Sequence, residues 1–152
     1  MPHGARRLPH ECVAQLRAAD LIIHAGDIAT VAVLDDLRRI GPPVEAVYGN
    51  IDEPALRELL PEQQVIEVED ARIGLVHDAG SAGDREQRLA ARFPGCHAVV
   101  YGHTHMPWIT QTAGVWILNP GSPTERRRSP ARSMLVLDVA GRTLRPRLVT
   151  FT

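Results

Sequence analysis

Four short apolar runs, each ending in small or polar residues, constrain this chain more than any other feature. Leu21-Ile22-Ile23 leads into His24-Ala25-Gly26-Asp27, and Val44-Glu45-Ala46-Val47-Tyr48 leads into Gly49-Asn50. Ile73-Gly74-Leu75-Val76 leads into His77, and Ala98-Val99-Val100-Tyr101 leads into Gly102-His103-Thr104-His105. Short apolar runs bounded by turn residues read as buried strands. In open α/β sheets, sites form outside the carboxyl ends of the strands. Asp27, Asn50, His77, His103 and His105 are therefore expected to converge. In extended backbone, residues two apart project to the same side, so His103 and His105 are expected on one face.

The rest of the chain supplies the layers around such strands. Helical spacing is read over 10–19, with Val13, Leu16 and Ala19, and over 30–40, with Val31, Leu34, Leu37 and Ile40 on one stripe. Gly41-Pro42-Pro43 stops the second helix. Asp52-Glu53-Pro54 opens a short third one, with Asp52 as its N-cap or as a carboxylate behind the site. Strands follow near 64–68 and 71–76, and a helix over 83–93 ends at Pro94-Gly95. Further strands are expected near 107–111, 115–118, 132–138 and 143–150. An early βα alternation with a β-rich tail suits two packed sheets with helices outside.

One carboxylate, one amide oxygen and three imidazoles, with no thiol, suit Mn, Fe, Ni, Co or Zn in an N/O site rather than a thiolate zinc site. Composition narrows the setting. A chain of 152 residues fits one domain, 1–152. A net charge of -1 offers no basic field for nucleic acid. No run reaches the ~18 apolar residues of a membrane span, and the first residues lack the apolar region of a signal peptide. Two cysteines, Cys12 and Cys96, make no disulfide framework, which points to a reduced, cytoplasmic protein. No internal repeat, linker or low-complexity tract is evident.

Plainer roles suit several other residues. His24 reads as a hydrogen-bonded core histidine, and His10 and His97 as surface residues. Asn119-Pro120-Gly121-Ser122 reads as a turn. Arg126-Arg127-Arg128 could steer phosphate but reads first as a solvated loop. Trp108 and Trp116 read as core or rim.

GD at 26–27, GN-x-D at 49–52, the single His77, GHTH at 102–105 and NPGSP at 119–123 together resemble the calcineurin-like metallophosphoesterases. The match is to their small bacterial and archaeal phosphodiesterase branch, which also includes the retromer subunit Vps29, and it covers almost the whole chain. The resemblance implies a four-layer αββα sandwich. It implies two divalent ions, Mn2+ before Ni2+, Fe2+, Co2+ or Zn2+, and hydrolysis of a small phosphodiester by a hydroxide bridging them. It assigns Asp27, Asn50, His77 and His103 to one ion, with Asp27 bridging to a second ion held by His105 and an Asp-x-His pair. Asp27, Asn50 and His103 would be the residues closest to the chemistry. Vps29 stands for the alternative, a catalytically weak or inactive protein-binding scaffold. Self-association is left open.

Three departures from the family pattern matter. The Asp-x-His motif that ends the family's first strand is not found. Met1-Pro2-His3-Gly4-Ala5-Arg6-Arg7-Leu8-Pro9 resembles the stretch that follows it, with His3 the alternative bearer of the motif histidine. One sheet is therefore expected to lack its first strand and to carry a slot, and one ion site is expected to be complete and the other depleted. Ile51 stands where many relatives have a histidine able to act as general acid. Asp78-Ala79 follows His77 in place of Gly-His.

Overall fold

The structure is a computed structural model that describes residues 7–151. His3 lies outside the described residues. In chain order the elements are α1 (His10–Ala18), β1 (Ile22–His24), α2 (Val31–Arg38), β2 (Val44–Ala46), α3 (Pro54–Leu59), β3 (Gln63–Val68) and β4 (Ala71–Val76). There follow α4 (Arg85–Arg92), β5 (Ala98–Tyr101), β6 (Trp108–Thr112), β7 (Val115–Asn119), β8 (Arg132–Ala140) and β9 (Thr143–Phe151).

A five-stranded sheet runs in the order β3-β4-β5-β7-β6. Its middle strands β4, β5 and β7 are parallel, with Val76 opposite Tyr101 and Val100 opposite Leu118. Their side chains alternate between two cores. Ile73, Leu75, Ala98, Val100 and Leu118 face one core, which also takes Leu144 of β9 and, at its margin, Ile23 of β1 and Leu135 and Leu137 of β8. Val76, Val99, Tyr101 and Ile117 face the other, where Leu89 and Phe93 of the α4 segment cover them. Both faces are apolar because both are buried, as is usual for parallel strands. On the far side, Leu34 of α2 and Leu56 of α3 pack with Ala46 of β2. The succession is helix, sheet, sheet, helix: the αββα sandwich expected from the sequence.

The second sheet layer is split. β1 and β2 form a parallel pair and β8 and β9 an antiparallel pair, with no strand joining them among the described residues. Between them lies a cleft of about 720 Å3. Consecutive residues of both strands, Leu21 to His24 and Ser133 to Val139, line it, so the strand edges border it rather than one pleated face. This is the slot expected in one sheet. At its polar end it meets Asp27, His77, His103 and His105.

Candidate metal centre

Parallel strands put their carboxyl ends on one edge. β1 and β2 deliver the loops that carry Asp27 and Asn50, while β4 and β5 deliver His77 and His103. Asp27 and His77 are buried, at 4% and 5% exposure, while Asn50 is exposed and opens the cluster to solvent. His77 Nε2 lies 3.2 Å from Asp27 Oδ2, 2.9 Å from Asn50 Oδ1 and 3.3 Å from His103 Nδ1. His103 Nδ1 lies 3.1 Å from Asn50 Oδ1.

These contacts do not form an ordinary hydrogen-bond network. His77 Nδ1 is 2.7 Å from the Ala25 carbonyl oxygen, which can only accept, so Nδ1 carries the proton. In the neutral ring Nε2 then holds a lone pair, and it faces a carboxylate, an amide oxygen and another imidazole nitrogen. Three states answer that arrangement: a second proton on His77, a proton on His103 Nδ1 directed at His77 Nε2 or Asn50 Oδ1, or a cation among the four donors. Donors around an ion at ~2.0–2.2 Å stand roughly 2.8–3.6 Å apart in octahedral or tetrahedral geometry. The separations of 2.9 to 3.3 Å match that range. Asp27, His77 and His103 form a group able to hold a metal ion, with ligand atoms all within 4.8 Å of one another.

Without an ion, the charges are arranged for the protonated alternative. Burial pushes the Asp27 carboxyl up, but hydrogen bonds from His77 and the Ile51 amide (3.1 Å), with the His77 charge, bring it down to about 2. Burial pulls His77 down, yet the Asp27 hydrogen bond and charge raise it above its ordinary value.

Backbone conformation marks the same residues. Asp27, His103 and His105 have φ of 60°, 69° and 60°, in the left-handed region that residues with a β-carbon rarely adopt. Such strain persists only where surrounding structure holds it, and it gathers at functional sites. It also corrects the expectation of extended backbone at GHTH. β5 ends at Tyr101, and the two left-handed turns send the imidazoles to different partners. His103 joins the cluster, while His105 Nδ1 donates to the Glu125 carbonyl at 2.7 Å. His105 thus stands beside the four-donor cluster, bordering the same cleft. Its pKa is lowered, first by burial and then by the Arg127 charge.

Two residues hold these loops: Asp52, in the second of the two roles read for it, and Asn119, read from the sequence as part of a turn. Asp52 does not cap α3, whose N-cap is Glu53. Its carboxylate accepts from the Ala29 amide at 2.6 Å and the Gly49 amide at 2.7 Å, tying the Asp27 loop to the Asn50 loop. Asn119 is fully buried; its Nδ2 donates to the Gly102 carbonyl at 3.2 Å and to Thr104 Oγ1 at 3.0 Å, so the NPGSP turn braces the GHTH turn. The GN-x-D spacing was the signal for the first and the order GHTH then NPGSP for the second. His24 is hydrogen-bonded as expected, Nδ1 accepting from the Gly26 amide at 3.1 Å. His10 is exposed, and His97, half-buried at the surface, accepts from the Arg72 amide at 2.9 Å.

Residues 2–142 match the profile of the calcineurin-like phosphoesterase superfamily domain. The chain belongs to this superfamily. This calcineurin-like phosphoesterase is 35% identical over 146 residues to a probable metallophosphoesterase of Methanothermobacter thermautotrophicus, covering 95% of this chain and 83% of that one. Among solved structures it is similar to a Thermotoga maritima protein, with 34% identity, a TM-score of 0.73 and 95% and 88% of the two chains covered. It is also similar to Vps29 of Entamoeba histolytica complexed with zinc, with 25% identity, a TM-score of 0.77 and 100% and 94% covered. The chain is therefore of a metal-dependent phosphoesterase family, and Asp27, His77 and His103 form a group that could hold a metal ion. No helix among the described residues is long and apolar enough to cross a membrane.

Proposed function

We propose that this phosphoesterase hydrolyses phosphodiesters at the edge where Asp27, Asn50, His77 and His103 meet, with two divalent cations, Mn2+ first among the candidates. The observation that carries this reading is the convergence of four lone-pair donors on one point. Bound there, the cations would polarise the phosphoryl group and lower the pKa of water enough to make it a nucleophile at neutral pH. Asp27 would supply negative charge to the bound cations. His77 and His103 supply neutral nitrogen donors, and the Ala25 carbonyl fixes the His77 tautomer. Asn50 supplies its amide oxygen, and its NH2 group, at the solvent-open side, can donate to a phosphate oxygen. Among the described residues, His105 would serve the second ion alongside Asp27.

Ile51 brings only its amide to the site, donating to Asp27 Oδ1. Its apolar side chain cannot protonate a leaving alkoxide, so diesters with stable aryl leaving groups are the preferred substrates. Bis-p-nitrophenyl phosphate assayed with Mn2+ tests this directly. Hydrolysis should depend on the metal and fall to background in Asp27→Asn. Turnover indifferent to that substitution rejects the site.

A second reading, a protein-binding scaffold, rests on Met106, Trp108 and Ile109. They are 41%, 50% and 41% exposed, at or beside the edge strand β6. Exposed apolar groups on an edge strand suit a partner surface. Background hydrolysis at saturating Mn2+ would favour this reading over the enzyme.

A further inference from the structure

We propose that the loop from Thr124 to Arg132 forms an anion subsite beside the metal cluster, selecting phosphodiesters that carry a second phosphate group. The proposal rests on the phosphoesterase reading of the cluster, and it adds the class of substrate.

The loop encloses an open cavity of about 470 Å3 lined by Thr124, Glu125, Arg126, Arg127 and Arg132. Three arginines and one glutamate are among its lining residues, in a protein whose net charge is only -1. The loop is fastened to the GHTH turn at two points. Arg127 Nη1 donates to the His103 carbonyl at 2.9 Å, and the Glu125 carbonyl accepts from His105 at 2.7 Å. Arg127 therefore carries its charge on the backbone of a cluster residue. Arg126 is tethered as well, its Nη1 donating to the Ser129 carbonyl at 3.2 Å, while the Ser129 amide closes the turn on the Arg126 carbonyl at 2.8 Å.

A freely solvated arginine would keep all of its rotamer entropy; these two are exposed, but each has one tether that narrows its range. A guanidinium has five N–H donors in a planar fork, and one carbonyl acceptor leaves the fork able to take phosphate oxygens. Arg127 also has a φ of 47°, a left-handed conformation that projects a long charged side chain from a strained position. The three arginines are exposed, as the solvated-loop reading has it, but Arg126 and Arg127 are each tied to a backbone carbonyl. A diester's scissile phosphate would lie on the cluster while a second phosphate on the same molecule reaches the arginines.

Thymidine 3′,5′-bisphosphate and thymidine 5′-phosphate differ only in the second phosphate, and calorimetry in saturating Mn2+ compares them. The bisphosphate is expected to bind about tenfold tighter to the wild-type chain, the scale of one charge-assisted contact. Arg127→Ala should bring the two affinities together, and Arg127→Lys, which keeps the charge but not the fork, should restore only part of the difference. Equal affinities in the wild type, or a preference retained in both Arg127→Ala and Arg126→Ala, would overturn the subsite. Asp27→Asn separates the two levels of the reading. If that variant leaves both nucleotides bound as before while the Arg127 dependence persists, the cluster assignment fails and the subsite stands.

Discussion

At the scale of single residues, the site depends on what is left out as much as on what is present. A β-carbon on Gly49 would come 2.5 Å from the Asp27 amide nitrogen and collide with its carboxylate. Gly49→Ala should therefore displace the Asp27 carboxylate and weaken Mn2+ binding by about tenfold or more, the range for lost support behind a ligand. Calorimetry that finds wild-type affinity would show Asp27 is not the anchor. His24 gives a test by pH. Its ring is half-buried with the cleft on its open side, and burial is the main cause that holds its pKa near 3, against an ordinary 6.5. The folded value is depressed, so the unfolded chain binds the proton first. Stability from this group is complete above pH 6.5 and is lost as pH falls from there towards 3, at up to about 1.4 kcal/mol per pH unit. His24→Asn keeps an acceptor for the Gly26 amide and removes the titration. Urea denaturation across pH 4–7 should show a flatter acid limb in the variant; equal slopes would reject the assignment.

At the scale of elements, the loops after β1 and β2 act as one unit because Asp52 joins them. Its two oxygens serve the Ala29 and Gly49 amides, and Ala29 sits at a φ of 86° that needs such holding. Asp52→Ala removes two charge-assisted hydrogen bonds and should cost about 2–4 kcal/mol. Thermal melts should then shift by roughly 5–15 °C, with Asp52→Asn, which keeps one acceptor, losing less. A shift within error in Asp52→Ala would return the residue to the role of an ordinary turn. The sequence showed where α2, β4, β5 and the other elements lie because hydrophobic period and the Gly/Pro stops are local signals, as in Val31, Leu34 and Leu37 before Gly41-Pro42. The convergence of Asp27, Asn50, His77 and His103 was also legible, since parallel strands share a carboxyl edge. The double role of Asp52 was not, because one partner lies 23 residues away in another loop. Nor was the divergence of His103 and His105: the left-handed turn at each is set by Asn119 and Glu125 contacts, which alternation along a strand cannot reveal.

At the scale of the whole molecule, the split second layer decides how many ions the site can hold well. Four donors from four loops meet at one position, whereas the cleft side offers Asp27 and His105 from the described chain. Ion affinity follows donor number and charge. A Mn2+ titration should therefore show one tight site and a second weaker by about tenfold or more, that is by at least about 1.4 kcal/mol. The tight ion binds the folded state, because its donors are brought together only by the fold. At a hundred times its Kd it should stabilise the protein by about 2.7 kcal/mol, raising the melting temperature by roughly 5–10 °C. Proton competition sets the direction with pH. His77 must lose its Nε2 proton to hold the ion, and the neighbouring Asp27 raises its pKa above the ordinary 6.5 despite burial. Manganese stabilisation should thus fade as pH drops through that raised value, and Asp27→Asn should abolish it at every pH. Two ions of equal affinity would reject the depleted second site, and a melting temperature unmoved by saturating Mn2+ at pH 8 would mean that these four side chains satisfy one another rather than a cation.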